Sequence, residues 1–174
     1  MTIELLIALT ALALSLLSYL TARKALKITE KEHQDKNLGI TPYLVDAFKW
    51  VAPDTKKLIF FAVTYTNKSS SPNTLSKTDL IIEYYSDNNE IHTAKIDPAF
   101  FEYDEMPINS AEVISLPVNL NPKSTISGWL SFHLNSFLGE KLIKSYKLVS
   151  TTSDNKDVTL THNILREITN ENAR

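Results

Sequence analysis

The first 22 residues contain the most hydrophobic stretch of the chain. Residues 5–20 carry no charge, and Thr21 and Ala22 extend this stretch to 18 residues before Arg23. As a helix that rises about 1.5 Å per residue, it is about 27 Å long, close to the ~30 Å hydrocarbon thickness of a bilayer. Leucine and alanine favour helix formation, and no proline interrupts them. The pattern therefore predicts a transmembrane anchor over residues 1–22.

Two other interpretations of this stretch are weaker. A cleaved secretory signal needs a basic N-terminal region and a cleavage site flanked by small residues. This chain starts with Met-Thr-Ile-Glu, and the stretch ends in Leu-Thr-Ala-Arg-Lys. A buried helix of a soluble domain needs a polar stripe at helical spacing, whereas this stretch is apolar on all sides. We therefore expect the helix to be retained in the membrane.

Basic residues lie on only one side of the predicted anchor. Arg23, Lys24 and Lys27 follow it, and no lysine or arginine precedes it. Under the positive-inside rule, these flanking residues place the rest of the chain in the cytoplasm, at the cytoplasmic (inner) membrane. Residues 23–36 carry five basic and three acidic side chains, a net charge of +2 that suits contact with anionic headgroups. We expect residues 23–39 to form a short helical juxtamembrane stalk.

Beyond the stalk the hydrophobic spacing changes from helical to alternating. In residues 125–134, Leu130, Phe132 and Leu134 face one side of a strand and Trp129 faces the other. Similar runs of β-branched and aromatic residues are separated by polar turn clusters. The predicted strands are residues 41–51, 57–66, 79–85, 90–96, 112–116, 125–134, 146–151 and 156–161.

These runs predict an all-β domain over residues 40–162. Seven to eight strands at this spacing suit an immunoglobulin-like β-sandwich, with Trp50 and Trp129 in or beside its core. Irregular and terminal segments complete the chain. Residues 97–111 are expected to be irregular, residues 136–142 to form a short helix or turn, and residues 163–174 to form a C-terminal tail with a helical start.

Three short motifs carry a resemblance to a known class of proteins. They are Val63-Thr64-Tyr65-Thr66-Asn67-Lys68-Ser69, Leu116-Pro117 followed by Leu120-Asn121-Pro122, and Ser127-Gly128-Trp129-Leu130-Ser131-Phe132. With the anchor and stalk, the chain resembles uncharacterised bacterial single-pass membrane-anchored proteins with an immunoglobulin-like domain. Many such domains lie outside the cytoplasmic membrane, so the resemblance implies an extracytoplasmic alternative to the orientation that the flanking charges predict. The sequence Asn67-Lys68-Ser69 also fits a glycosylation sequon, which we interpret as a turn.

Composition argues against several kinds of site. The chain has no cysteine, which excludes disulfides, thiolate metal sites and cysteine nucleophiles. It has only three glycines and no phosphate-binding or hydrolase motif, so no enzyme class is indicated. A formal net charge of −2 gives no support for nucleic-acid binding. The four histidines, His33, His92, His133 and His162, lack the spacing of metal ligands. We predict no catalytic residue, metal or cofactor.

The most unusual segment, between Asp97 and Glu105, combines carboxylates with aromatic rings. The simplest interpretation is a solvated loop whose phenylalanines close one end of the sandwich. As a functional site it would be a partner-binding loop, because loops on a rigid scaffold often carry binding residues. Its carboxylates could also hold a calcium ion. The candidate partner-binding residues are Phe100, Phe101, Glu102, Tyr103, Asp104 and Glu105.

Two functions from different classes fit these features. The favoured one is a non-enzymatic binding or scaffolding module, tethered to the lipid bilayer and recognising a protein partner. The alternative is an accessory subunit of a membrane complex that is contacted through the transmembrane helix. Small residues at three- and four-residue spacing on that helix, Ala8, Ala11, Ser15 and Ser18, would suit helix packing. A small-ligand or metal-binding sensor and an enzyme are less favoured.

Overall fold

The computed structural model describes residues 2–52, 56–99, 108 and 112–168. Contacts divide the chain into two compact units, Met1–Leu38 and Gly39–Arg174. The first unit is a single α-helix, α1, over Ile3–Asn37. Within the described ranges, α1 is the one helix long and apolar enough to cross a membrane, and none of its most apolar window is buried. An N-terminal apolar helix ahead of a β-rich domain is therefore confirmed.

Helix α1 is longer than the sequence predicted. Instead of an anchor followed by a separate short stalk, one helix of 35 residues covers both. The reason is local, since no proline or glycine occurs between Ile3 and Asn37 and most residues beyond Arg23 favour helix formation. A helix of this length is about 52 Å long, so roughly 20 Å of it exceeds a ~30 Å hydrocarbon core.

The second unit contains nine strands and one short helix among the described residues. The strands are β1 Ile40–Val51, β2 Lys57–Asn67, β3 Asn73–Tyr85, β4 Ile91–Ile96, β5 Val118–Leu120, β6 Thr125–Leu134, β7 Ile143–Thr152, β8 Asp157–His162 and β9 Arg166–Ile168. Helix α2, Ser136–Gly139, lies between β6 and β7 and is capped by the Asn135 side chain. A short helix or turn was predicted here.

The strands form two sheets. Sheet A has the order β6-β2-β1-β9, and sheet B has the order β4-β3-β7-β8. The pairing of β1 with β9 is parallel, and all the other strand pairings are antiparallel. Strands β5 and β4 share one edge of β3, where β5 pairs with residues 73–75 and β4 pairs with residues 80–85. Strand pairing on that edge of β3 is therefore interrupted over residues 76–79.

Sheet A is apolar on both faces in the half that contains residues 58–63 of β2. Ile59, Phe61 and Val63 of β2 pack with Leu80 and Leu148 of sheet B in the core between the sheets. Leu58 and Phe60 of β2 point the other way and join a second group, which we call the outer cluster. The outer cluster consists of Phe48, Trp50, Ala52, Leu58 and Phe60. Residues 58–63 of β2 are therefore buried on both faces, whereas the Thr64 and Thr66 hydroxyls farther along the strand make exposed hydrogen bonds to Ser127 and Thr125.

The two tryptophans belong to this second apolar layer. Trp50 is fully buried in the outer cluster, and Trp129 of β6 is half-buried against it. Trp129 makes an edge-on ring contact with Phe48, with 5.4 Å between ring centroids. The predicted positions of both tryptophans are confirmed.

Several predictions about short segments were wrong. Residues 112–116 do not form a strand, since only Val113 bridges to Trp129. The tail has no helical start in its described part, because residues 166–168 form β9. Strand β3 begins at Asn73 rather than residue 79, and β5 was not predicted. These segments are short or polar, so hydrogen bonding to a neighbouring strand decides their conformation instead of their own hydrophobic pattern.

Candidate interaction surfaces

The predicted partner-binding residues 100–105 lie outside the described residues. The chain is described up to residue 99 before them and, apart from residue 108, from residue 112 after them. Before them, the Ala99 N–H donates to the Ser131 carbonyl at 2.9 Å, and the Ser131 hydroxyl donates to the Ala99 carbonyl at 2.6 Å. After them, the Ile114 N–H donates to the Trp129 carbonyl at 2.9 Å. The chain therefore leaves and rejoins the same edge of β6, at residues two positions apart.

Gly128 of β6 permits the close return of this segment. A Cβ atom at Gly128 would overlap the carbonyl oxygen of Glu112 and lie 2.8 Å from Cγ1 of Ile114. The Glu112 oxygen belongs to the backbone and cannot rotate away as a side chain could. The glycine of the Ser127-Gly128-Trp129 motif noted in the sequence is therefore needed for steric reasons.

We expect Gly128→Ala to lower the free energy of unfolding by about 1–3 kcal/mol, because the backbone at Glu112 must move to admit a methyl group. Gly39→Ala is the matched control, since a Cβ atom at Gly39 meets nothing within 4 Å. Urea unfolding of the full chain in detergent measures both variants. Equal losses for the two variants would contradict the steric role of Gly128.

A cavity of about 380 Å³ lies beside the same edge of β6. It is next to residues 76–79 of β3, where neither β4 nor β5 pairs with β3. Its described lining is mainly apolar, and two of its hydroxyl groups already have partners within the protein. The Thr78 hydroxyl lies 2.9 Å from Ser150 Oγ, and the Ser131 hydroxyl donates to Ala99. The cavity therefore suits an apolar group better than a reacting one. Its described apolar lining residues are Pro98, Ala99, Val113, Ile114, Leu116 and Leu130.

The outer face of sheet B is polar and carries paired charges. The Asp79 carboxylate is 9% exposed and lies 2.9 Å from Lys95 Nζ and 3.2 Å from Lys77 Nζ. Burial alone would raise the pKa of Asp79, but hydrogen bonds and charge from the two lysines lower it overall. Nearby, a hydrogen bond from Ser145 and the ammonium of Lys144 lower the pKa of Glu83. These carboxylates are bound to neighbours and stay ionised.

Asp154, in the turn between β7 and β8, is a third carboxylate with a low pKa. The Thr152 hydroxyl donates to it, Lys156 Nζ lies 2.9 Å away, and together they lower its pKa from 3.8 to about 2. A carboxylate with a lowered pKa in the folded state stabilises that state above its unfolded pKa. The stabilisation is then lost as the pH falls through the folded value.

We therefore expect the domain to lose stability between about pH 4 and pH 2, and Asp79→Asn/Asp154→Asn to flatten this part of the profile. The Asp154 side chain is 42% exposed, so solvent screening limits its share to under about 1 kcal/mol. Urea unfolding at pH 5, 4, 3 and 2 measures the slope. An unchanged acid slope in the double variant would contradict the assignment.

An exposed aromatic group lies at one end of sheet B. The Tyr84 ring stacks on His92 and meets Phe137 edge-on, each with 5.9 Å between ring centroids. Phe137 is 54% exposed, and Lys141 Nζ lies 5.1 Å from the centroid of its ring. The sequence placed His92 in a strand without a ligand role. Within the described ranges, no group of three histidine or acidic residues could hold a metal ion.

The sequon Asn67-Lys68-Ser69 forms a turn, as predicted. Asn67 and Ser69 are buried, and the side-chain Oδ1 of Asn67 accepts from the Ser69 N–H at 3.0 Å. A glycan at Asn67 would have no room. The flanking basic residues Arg23, Lys24 and Lys27 are exposed on α1 immediately after its apolar part, and their contact with headgroups stays a prediction.

No protein-family model matches the chain, and no curated protein matches it. Among solved structures it is similar to a candidate lipoprotein, YcdA, of Bacillus subtilis, with 15% identity and a TM-score of 0.50. That similarity covers 74% of this chain but only 37% of the other, and it concerns the fold alone. Two further similarities have TM-scores below 0.5, and no conclusion is drawn from them. They are to a sporulation control protein of Bacillus subtilis (12% identity, TM-score 0.38, 75% and 49% covered) and to the alkylpurine DNA glycosylase AlkC of Pseudomonas fluorescens (9%, 0.42, 75% and 31%).

Proposed function

We propose that this chain is a single-pass membrane protein that holds a non-enzymatic binding or scaffolding domain at the cytoplasmic face of the bacterial inner membrane. The observation that carries the proposal is helix α1, which is continuous, apolar and unburied over its membrane-length part. An apolar helix of this length without protein around it is stable in a bilayer, which supplies the missing apolar surroundings.

We also propose that the β domain is immunoglobulin-like. In such domains three strands of one sheet have the order E-B-A, and the other sheet has the order C′-C-F-G. In chain order, β1, β2 and β6 correspond to strands A, B and E, and β3, β4, β7 and β8 correspond to strands C, C′, F and G. With this assignment, the order β6-β2-β1 matches E-B-A, and the order β4-β3-β7-β8 matches C′-C-F-G. This match supports a Greek-key connection, and β9 would be an addition to it.

The binding surface we favour is the segment that contains residues 100–105. It is acidic and aromatic in sequence, and both its flanks are hydrogen-bonded to β6. A segment with closely spaced, fixed ends presents its side chains from a rigid base, which lowers the entropy lost on binding. A protein partner with a basic, apolar surface would complement it.

A topology test decides the compartment. Cells that produce the full chain with a C-terminal tag are converted to spheroplasts and treated with protease. The charges at Arg23, Lys24 and Lys27 predict that the tag is protected until the membrane is permeabilised. Digestion in intact spheroplasts would place the β domain outside and overturn the proposed orientation.

A partner test decides the binding role. A photo-crosslinking residue at position 103 of the full chain should give a discrete protein adduct in cells, and one at position 123, in the β5–β6 turn, is the control. Adducts of equal pattern and yield at both positions would reject the loop as the binding surface. Replacing α1 by an unrelated transmembrane helix separates the two functions. The alternative, contact through the helix, predicts that the replacement abolishes function and the adduct at position 103, whereas recognition through the loop predicts that both are kept.

A further inference from the structure

The C-terminal strand β9 makes specific but sparse contacts. Its three residues pair in parallel with residues 48–50 of β1. Lys49 Nζ lies 2.6 Å from the Glu167 carboxylate, and Arg166 forms an ion pair with Asp46. Ile168 packs against the outer cluster. Each residue of β9 therefore has a defined partner on or beside β1.

These contacts hold β9 weakly. The Arg166, Asp46 and Glu167 side chains are 61%, 38% and 48% exposed, and ion pairs this exposed contribute about 0–1 kcal/mol each. A strand of three residues adds few hydrogen bonds. The surface beneath is different, because Trp50 and Phe48 are almost completely buried. Detachment of β9 thus loses only weak ion pairs and a few hydrogen bonds, but it exposes apolar surface of the outer cluster. The β9 strand of another copy of the chain would cover this surface again.

The connection to β9 is short. β8 belongs to sheet B and β9 to sheet A, and only residues 163–165 join them. Packed sheets lie about 10 Å apart, and the four peptide units from His162 to Arg166 reach at most about 14 Å. Ile164 within this connection is 80% exposed. A hinge this short has little slack for folding back, and short hinges favour exchange of a terminal element between copies.

We propose that β9 exchanges between two copies of this chain, so that β9 of one copy lies along β1 of the other and covers its outer cluster. A second copy is the occupant that the observations favour, because it reproduces all three contacts: the charge pairs to Asp46 and Lys49 and the apolar contact of Ile168. The anchor, which rests on the proposed function, would favour exchange by holding copies in one membrane at high local concentration.

The chain's lack of cysteine permits a direct test. Two differently tagged full-length copies, one with Lys49→Cys and the other with Glu167→Cys, are produced together, and isolated membranes are oxidised. Residues 49 and 167 are register partners, so a disulfide between them fits the strand geometry. We expect a disulfide-linked heterodimer at least fivefold above that formed by Thr93→Cys paired with Glu167→Cys. Position 93 is the collision control, because β4 lies in the other sheet.

Two further variants complete the test. A single chain with both Lys49→Cys and Glu167→Cys shows that the variants fold, since its disulfide forms only in the native register. If that disulfide is entirely within one chain and no heterodimer forms either in membranes or in concentrated detergent solution, exchange is overturned. Insertion of Gly-Ser-Gly-Ser after Asn163 should reduce the heterodimer at least fivefold, and an unchanged yield would overturn the hinge argument. A heterodimer that forms in concentrated detergent solution but not in membranes would support the exchange of β9. It would contradict the idea that the anchor promotes this exchange.

Discussion

Replacing Asn67 by alanine should lower the free energy of unfolding of the β domain by about 3–5 kcal/mol. The Asn67 side chain is fully buried at the end of β2. Its amide nitrogen lies 2.9 Å from the Ser71 carbonyl, 3.2 Å from Leu120 and 3.1 Å from Asn121, and its oxygen accepts from the Ser69 N–H. Alanine would remove all four bonds. The Asn121 carbonyl would still accept from the N–H and hydroxyl of Ser124, but the buried Ser69 N–H and the carbonyls of Ser71 and Leu120 would lose the side chain as a partner. Each buried group left unpaired costs about 1–3 kcal/mol.

Asn121→Ala is the matched control, because its side chain is exposed and its backbone carbonyl remains as an acceptor. We expect a change within about 0.5 kcal/mol for this control. Urea unfolding of the full chain in detergent, followed by tryptophan fluorescence, measures both variants. A loss below 1 kcal/mol for Asn67→Ala would show that water replaces the side chain and that the turn does not depend on it.

Replacing both Leu12 and Leu16 by arginine should release the chain from the membrane. Each arginine near the centre of a membrane helix costs about 2.5–3.5 kcal/mol on insertion scales. Two together cost about 6 kcal/mol, which shifts the insertion equilibrium more than a thousandfold. Membrane flotation of extracts after alkaline washing measures the change. We expect the double variant in the soluble or aggregated fraction and the wild-type chain with the membranes.

Thr29→Arg/Gln34→Arg is the control for this prediction. It adds the same charge to the same helix, but beyond the apolar part of α1, where both positions are exposed. We expect this variant to remain in the membrane fraction. If both double variants leave the membrane, added charge alone is responsible; if neither does, α1 is not the element that anchors the chain.

The strongly patterned elements were predictable from sequence and the short ones were not. The strand at 125–134 has the bounds of β6, because alternating Leu130, Phe132 and Leu134 leave one arrangement that buries them together. The first half of β3 is polar, with Ser76 and Lys77, and its pairing with β5 and β7 alone makes it a strand. β9 has no pattern long enough to detect. Its conformation depends on partners at Asp46 and Lys49, more than 110 positions away in sequence.

The candidate surfaces show the same division. Sequence pointed to the acidic and aromatic segment after Asp97 but not to its attachment to Ser131 and Trp129, since two of the three hydrogen bonds there join backbone groups that every residue carries. Gly128 was noted as part of a turn-and-strand motif, while the overlap that requires it depends on the path of Glu112. The types of side chain in a sequence indicate which chemistry a segment can perform. Which backbone groups lie close together is known only from the folded structure.

Burial of residues 58–63 of β2 on both faces gives the two sheets unequal freedom to change over evolution. A substitution on either face of this part of β2 meets packed side chains, so new surface properties can hardly arise there without loss of stability. The outer face of sheet B is in contact with water, and side chains such as Thr93, Lys147 and Thr159 can vary while the core stays intact. A lineage of such chains could therefore acquire new partners through sheet B while sheet A preserves the fold.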